Sequence, residues 1–275
     1  MPSDVNQQII DEFRSNHGQV GGPFENMRLL LLTTGRAWTG VRHTTPLNFL
    51  PDGERFLVIA SGGSAGVDPD WYHNLLADPE VTIETGVYIY RARATELRGE
   101  EREALFARAV EADAGWAVYQ AEAARILPVI ALEPIDGGPA ADKLGDALVA
   151  IHGSFRRELA LIRKEVAESG PRFGTQLRIN CLTMCQELHR HHSREDGSVF
   201  PALGARHPDL GPALERLSAE HVVIDELLNQ LKALLSREEP DREMLLSEVD
   251  RLIKELVAHL DYEEERIASL LNAGI

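Results

Sequence analysis

Four stretches of this chain, about 141–167, 175–196, 209–236 and 241–272, repeat apolar residues in alternating steps of three and four. That spacing puts the repeats on one face of a helix, so each stretch reads as one amphipathic helix. The first carries Leu144, Leu148, Phe155, Leu159 and Ile162, and the second Leu177, Cys181, Met184 and Leu188. The third carries Leu214, Leu217, Ile224, Leu228 and Leu231, and the fourth Leu245, Val249, Leu252, Leu256, Ile267 and Leu270. The expected connections hold Gly170, Pro171 and Gly174, then Gly197, Pro201, Gly204 and Pro208, then Pro240. Four apolar seams of this kind predict an up-down four-helix bundle over residues 141–275.

Six polar residues interrupt the seams. His152 precedes the pair His191 and Glu195, and His221 precedes the pair His259 and Glu263 at nearly the same spacing. The pattern therefore occurs twice, once per helical hairpin. An i,i+4 His–Glu pair projects from one helical face, so both side chains reach one centre. On a solvated face such residues would be ordinary, but these are flanked along the seam by Leu, Ile, Val, Phe, Met and Cys. Two carboxylates buried there need partners, because an uncompensated buried charge costs several kcal/mol. A metal site meets that need. Four imidazoles with bridging carboxylates suit two iron ions, and zinc or manganese stays open on ligand type. His189 and His192 fall off the stripe and read as supporting or surface groups. Cys181 and Cys185 read as core.

The segment HRHHSREDGSVFPAL (189–203) adds a Phe-Pro step after His-x-x-x-Glu. With it, residues 141–272 resemble a hemerythrin-like, or HHE cation-binding, domain. The resemblance implies a non-haem di-iron centre that binds dioxygen or a similar small ligand. By position, His152 and His191 would serve one iron and His221 and His259 the other, with Glu195 and Glu263 bridging. Animal hemerythrins place a second histidine four residues after the third-helix one. Asp225 stands there in this chain, either as an added ligand or leaving a position open to an exogenous molecule.

The first half is written differently. Short apolar runs at 28–34, 55–61, 81–85, 87–97 and 129–134 read as strands, with helices at 70–78 and 100–112. Strands dominate, which predicts a small barrel over residues 1–135. Pro134, Gly137, Gly138 and Pro139 read as a linker to the bundle. Residues 26–51 contain no acid yet hold Arg28, Arg36, Arg42 and His43. Guanidinium and backbone N–H groups in that window suit a phosphate or carboxylate. Gly62 and Gly63, in the turn SGGSAG, suit close backbone approach by a ligand.

The segments LLLLTTGR (29–36), HTTPL (43–47), DPDWYHNLLADPEVTIE (68–84) and VYQAEAARILPVIALEP (118–134) together resemble the deazaflavin-dependent nitroreductase family. The likeness runs over nearly all of residues 9–134. It implies a split β-barrel of the flavin-mononucleotide-binding type, with reduced coenzyme F-420 passing hydride to a quinone, nitro or other electrophilic acceptor. Arg36, Arg42, His43, Thr44, Thr45 and Pro46 match the part that holds the cofactor's anionic tail. Ser61, Gly62 and Gly63 match the strand end beside the ring, and Trp71 and Asn74 match the start of the family's helix. Tyr119 matches a tyrosine near the acceptor, placed to orient or protonate the reduced substrate. The first 137 residues contain no lysine, and Ala37–Trp38 follow Gly35–Arg36 where relatives often carry Lys or Arg. That departure keeps flavin mononucleotide open as the cofactor.

Composition bounds the rest. Lys+Arg is 28 against Asp+Glu 44, a net charge of −16, which disfavours general nucleic-acid binding. Two cysteines four residues apart make neither a disulfide framework nor a zinc ribbon. No apolar run is long enough for a membrane span, and the polar first residues do not read as a signal peptide. The expectation is a cytoplasmic two-domain oxidoreductase, an α+β chain whose barrel dimerises as split-barrel relatives commonly do. The alternative is a non-enzymatic oxygen-, nitric oxide- or iron-binding protein with a structural barrel.

Overall fold

The computed structural model describes residues 4–25, 27–35, 42–62, 67–169, 173–237 and 241–274. The chain divides into two compact units: residues 1–140 with 174–179, and residues 141–173 with 180–275.

The first unit is a split β-barrel built from one antiparallel sheet in the order β2-β1-β5-β6-β7-β4-β3. Its strands are β1 (Leu29–Gly35), β2 (Arg42–Asn48), β3 (Leu50–Asp52), β4 (Arg55–Ile59), β5 (Glu80–Glu84), β6 (Tyr88–Leu97) and β7 (Val129–Pro139). Helices α1 (Asp4–Ser15), α2 (Asp70–Ala77), α3 (Gly99–Ala112) and α4 (Gly115–Glu122) complete it. The four leucines of β1 are all buried because both faces of the strand are covered. Leu30 and Leu32 pack with Ile83, Ile130, Leu132 and α2 residues Trp71, Tyr72 and Leu75. Leu29 and Leu31 pack against Ile9, Ile10 and Phe13 of α1. A strand buried on both sides needs an unbroken apolar run, which is what RLLLLTT supplies. The sequence reading misses α1, whose short apolar face is set among polar residues.

The segment read as a linker is strand. β7 pairs with β6 from Leu97↔Val129 to Tyr88↔Pro139, with a register shift between Arg91 and Ala92. Pro134 sits opposite Ala92 at that irregularity, where a missing N–H is tolerated. Gly137 is required by closeness: a Cβ there would lie 2.5 Å from the Tyr90 ring and 2.6 Å from the Ile89 carbonyl. The Pro and Gly residues that suggest a boundary thus serve a bulged sheet.

The second unit is a helical bundle of α5 (Leu144–Glu168), α6 (Thr175–Arg194), α8 (Gly211–Leu235) and α9 (Arg242–Asn272), with short α7 (Phe200–Arg206). The Asp241 carboxylate caps α9 by accepting the Met244 N–H at 3.0 Å. The α6 helix does not end in a loop at Gly197. It widens into a π turn over Glu195–Val199 and continues directly into α7, so Gly197, Pro201 and Gly204 lie inside helical structure. Phe200 donates its N–H to the Glu195 carbonyl, five residues back. A wide turn is where a helix can carry a proline that lacks its own N–H. No helix among the described residues is long and apolar enough to cross a membrane.

Candidate functional site

The bundle brings together the six residues that interrupt its seams. His152 comes from α5, His191 from α6, Glu195 from the π turn, His221 from α8, and His259 and Glu263 from α9. His152 Nε2 lies 3.0 Å from His191 Nε2, and His221 Nε2 lies 3.2 Å from His259 Nε2. Each carboxylate spans both pairs. Glu195 Oε1 is 3.1 Å from His191 Nε2 and its Oε2 is 3.6 Å from His221 Nε2. Glu263 Oε2 is 3.5 Å from both His152 Nε2 and His259 Nε2. Glu195 and Glu263 are 3% and 0% exposed. Among the described residues none of their four oxygens receives a hydrogen bond.

Three carboxylates outside the seams orient the rings. Glu264 Oε1 is 3.0 Å from His152 Nδ1, Asp196 Oδ2 is 2.9 Å from His221 Nδ1, and Glu220 Oε2 is 3.0 Å from His259 Nδ1. A proton on each Nδ1 leaves the Nε2 lone pair facing the centre. Each of these acids is a sequence neighbour of a seam residue, yet it serves a histidine on another helix. Asp196 follows Glu195, Glu220 precedes His221 and Glu264 follows Glu263, so one step of about 100° carries each from the seam to the next helix. The acids are anchored in turn: Arg156 donates to Glu264 at 2.8 Å, Arg216 to Glu220 at 2.7 Å and Ser218 to Asp196 at 2.6 Å.

Burial sets the charge states. It pushes His259 down to about 4, against the pull of Glu220, and holds His152 and His191 below the ordinary histidine range. It pushes Glu263 up to about 8 and Glu195 well above the carboxylate range, with the Glu263 charge adding to the latter. Imidazoles whose Nε2 atoms face one space, beside buried carboxyl groups that receive no hydrogen bond, form a pocket whose donor set fits metal cations. Ligand atoms of His152, His191, Glu195 and Glu263 lie within 4.8 Å of one another, as do those of His192, His221 and His259.

Three more residues singled out in the sequence lie on the bundle helices. His192 is buried inside the bundle and stacks on His221, with centroids 4.0 Å apart. Asp225 stands apart from the six: its side chain is 37% exposed and pairs with His189 Nδ1 at 3.1 Å. The helix turn that aims His221 inward leaves the residue four positions on facing the α6 edge. Cys185 is buried, which pushes its thiol up to about 11 and keeps it protonated. The sequence reading passes over Glu220 and Glu264 and has Asp196 only as an i,i+4 partner of His192. Their one available signal is adjacency to a seam residue.

In the barrel unit, β1 and β2 pair from Leu29↔Asn48 to Gly35↔Arg42. This places Arg42, His43, Thr44, Thr45 and Pro46 along one edge strand. Thr44 and Thr33 share a hydrogen bond at 2.8 Å, and Arg42 reaches Thr82 Oγ1 at 3.4 Å. Asn74 is buried and donates to Thr34 Oγ1 at 3.1 Å, tying α2 to β1, and Trp71 is buried in the sheet core. Ser61 and Gly62 lie in the segment that follows β4, with Gly62 at φ +69 where a side chain would be strained. Arg125, which the sequence reading does not single out, holds this segment. Its Nη2 donates to the carbonyls of Ala60, Ser61 and Val67 at 3.0, 3.2 and 3.1 Å. Tyr119 is half-exposed on α4 beside Trp116, centroids 5.9 Å apart. Arg36 and Gly63 lie outside the described residues.

A profile described as F420H2-dependent quinone reductase matches residues 6–134, and one described as hemerythrin HHE cation binding domain matches residues 144–271. An F420H2-dependent quinone reductase of Mycobacterium tuberculosis is 34% identical over 125 residues, covering 44% of this chain and 83% of that protein. The chain belongs to the F420H2-dependent quinone reductase family. Its second half is a hemerythrin HHE domain, joined to the quinone reductase domain in one polypeptide. Among solved structures, one described as an F420-H2 dependent reductase is 34% identical. It covers 38% of this chain and 94% of its own length with a TM-score of 0.36.

Proposed function

We propose that the quinone reductase domain takes hydride from reduced coenzyme F-420 and passes it to a quinone, nitro or other electrophilic acceptor, and that the HHE domain holds two iron ions that bind dioxygen or sense redox state. The cofactor supplies the hydride chemistry, and the protein supplies binding and orientation. Arg36, Arg42, His43, Thr44, Thr45 and Pro46 hold the anionic tail; the acid-free window around the exposed Arg42 supports this. Ser61, Gly62 and Gly63 lie along the ring, and Arg125 holds the carbonyls of Ala60 and Ser61 at the start of that segment. Trp71 and Asn74 support the site from within the core. Tyr119 orients the acceptor or gives it a proton. Flavin mononucleotide is the competing cofactor, and a homodimer in the cytoplasm is the expected assembly.

In the HHE domain, His152 and His191 hold one metal and His221 and His259 the other, with Glu195 and Glu263 between them. The observation that carries this is four buried carboxylate oxygens that receive no hydrogen bond, set among four imidazoles whose Nε2 atoms face the same space. Two cations satisfy all of these groups. Metal ions supply a site for a small exogenous ligand, while Glu264, Asp196 and Glu220 keep the ring protons on the outer nitrogens. Asp225 is left out of the ligand set.

Two measurements test the reading. Titration of the full chain with F-420 and with flavin mononucleotide, followed by fluorescence, is expected to give saturable binding of the deazaflavin. Absence of binding, with no acceptor-dependent oxidation of reduced F-420, would overturn the reductase half in favour of a structural barrel. Metal analysis is expected to return about two irons per chain, as in other carboxylate-bridged pairs. A metal-free, stably folded protein would overturn the HHE half. We also propose electron exchange between the two halves; reduced F-420 that bleaches the diferric protein no faster than buffer would end that idea.

A further inference from the structure

We propose that His192 is a third histidine ligand at the His221/His259 position, so that the two metal positions in the bundle are unlike. The proposal rests on the two-metal reading above and adds a residue that neither the duplicated seam pattern nor the pairing of Glu195 and Glu263 requires.

The first observation is burial without a partner. His192 is 2% exposed, and among the described residues neither of its ring nitrogens has a hydrogen-bond partner. A neutral imidazole carries one N–H donor and one lone pair, and burying either unpaired costs about 1–3 kcal/mol. Phenylalanine or leucine would fill the space without that cost. The ring is therefore placed where a lone pair has use.

The second observation is position. The His192 ring lies over His221 at 4.0 Å and 10°, and edge-on to His259 at 5.4 Å and 74°. One nitrogen of His192 lies within 4.8 Å of ligand nitrogens of both. Nitrogens that share one ion at about 2.0–2.1 Å lie up to about 4 Å apart, so the spacing is near the coordinating range, and turning the His192 ring out of its stack on His221 aims its in-plane lone pair at the shared centre. The grouping is selective: the other position collects His152, His191, Glu195 and Glu263 without a third histidine. The two residues His191 and His192 are consecutive on α6, and the step of about 100° between them sends one to each position.

The third observation is the side chain one turn beyond His221. Asp225 pairs with the exposed His189. The α8 helix thus brings a single ligand, and α6 supplies the extra nitrogen from beside His221.

The experiment compares the full-length wild type with His192→Phe, which keeps a ring on His221 but has no nitrogen, and with His192→Ala in the presence and absence of imidazole. Each is loaded with iron and followed by metal analysis, chelator challenge and Mössbauer spectroscopy. The wild type is expected to hold two irons with two different quadrupole doublets. In His192→Phe, one iron should be lost to chelator roughly 10–100-fold more readily, and one doublet should shift while the other stays. Imidazole should restore the lost doublet in His192→Ala, which keeps the test usable if the Phe variant folds poorly. Wild-type chelator resistance and both doublets unchanged in His192→Phe would overturn the ligand role while leaving two-metal binding intact. A wild type without iron would overturn the two-metal reading and this one with it.

Discussion

The Nε2 atoms of His221 and His259 face each other 3.2 Å apart, while the Nδ1 of each ring meets a carboxylate, Asp196 for His221 and Glu220 for His259. With both protons on the outer nitrogens, two lone pairs point at one space. A cation between them turns a repulsion into coordination, so the outer carboxylates decide what the inner nitrogens can bind.

Removing an outer carboxylate should therefore act on metal affinity before it acts on the fold. Glu220→Gln is expected to lower iron affinity roughly 10–100-fold, the usual cost of losing a group that orients a ligating histidine. Asp196→Asn should do the same at His221. Competition with a chelator measures this, and circular dichroism should show the helices unchanged. An affinity equal to wild type in both variants would mean that the tautomers are not set by these contacts.

Metal removal should destabilise the helical unit. A ligand bound only to the native state at 100 times its dissociation constant contributes about 2.7 kcal/mol. Chelator treatment is expected to lower the bundle's melting temperature, and His191→Ala should abolish the difference between loaded and stripped protein. Calorimetry with and without iron checks both.

Arg125 is expected to act on cofactor binding through backbone position. It joins Ala60, Ser61 and Val67 through one guanidinium nitrogen and pairs with Asp68 at 2.8 Å. Arg125→Lys offers one ammonium in place of the planar fork. The predicted result is a several-fold rise in the dissociation constant for F-420 with a small change in barrel stability. Unchanged affinity would show that the Ser61–Gly62 segment is positioned without it.

Barrel stability should depend on acid through Asp52. Burial alone would raise this carboxyl, but hydrogen bonds from Arg108 at 2.7 Å and Arg55 at 2.5 and 2.9 Å outweigh it and hold it below the usual range. A lowered acid binds fewer protons when folded, so its contribution is full above the unfolded value of about 3.9 and is lost as pH falls through the folded one. Asp52→Asn is expected to cost about 1–3 kcal/mol at neutral pH, the range for hydrogen bonds to a charged group. The gap between variant and wild type should close below about pH 3, read from denaturant unfolding across pH. A gap constant with pH would place the loss in packing.

The six seam residues were legible because a helix repeats every 3.6 residues and a polar residue in an apolar stripe is conspicuous at that period. Asp196, Glu220 and Glu264 were not, because they lie about 100° off the stripe, where acids also decorate solvated faces. The same ambiguity hid His192, whose burial depends on a neighbouring helix closing over it. In the barrel, β1 was legible from four consecutive leucines, whereas Pro134–Pro139 reads alike as linker and as bulged strand until β6 is seen to pair with it.

Sequence alone determined the two halves, the strand-rich and helical character of each, the doubled His and His-x-x-x-Glu pattern and the acid-free window with its arginines. These are local properties of periodicity, spacing and residue chemistry. Tertiary structure decided which acid holds which ring, that Asp225 turns to His189, that His192 lies against His221, and that Arg125 holds the segment after β4. Each of those is a contact between elements distant along the chain, set by how helices and strands pack, and no local period encodes it.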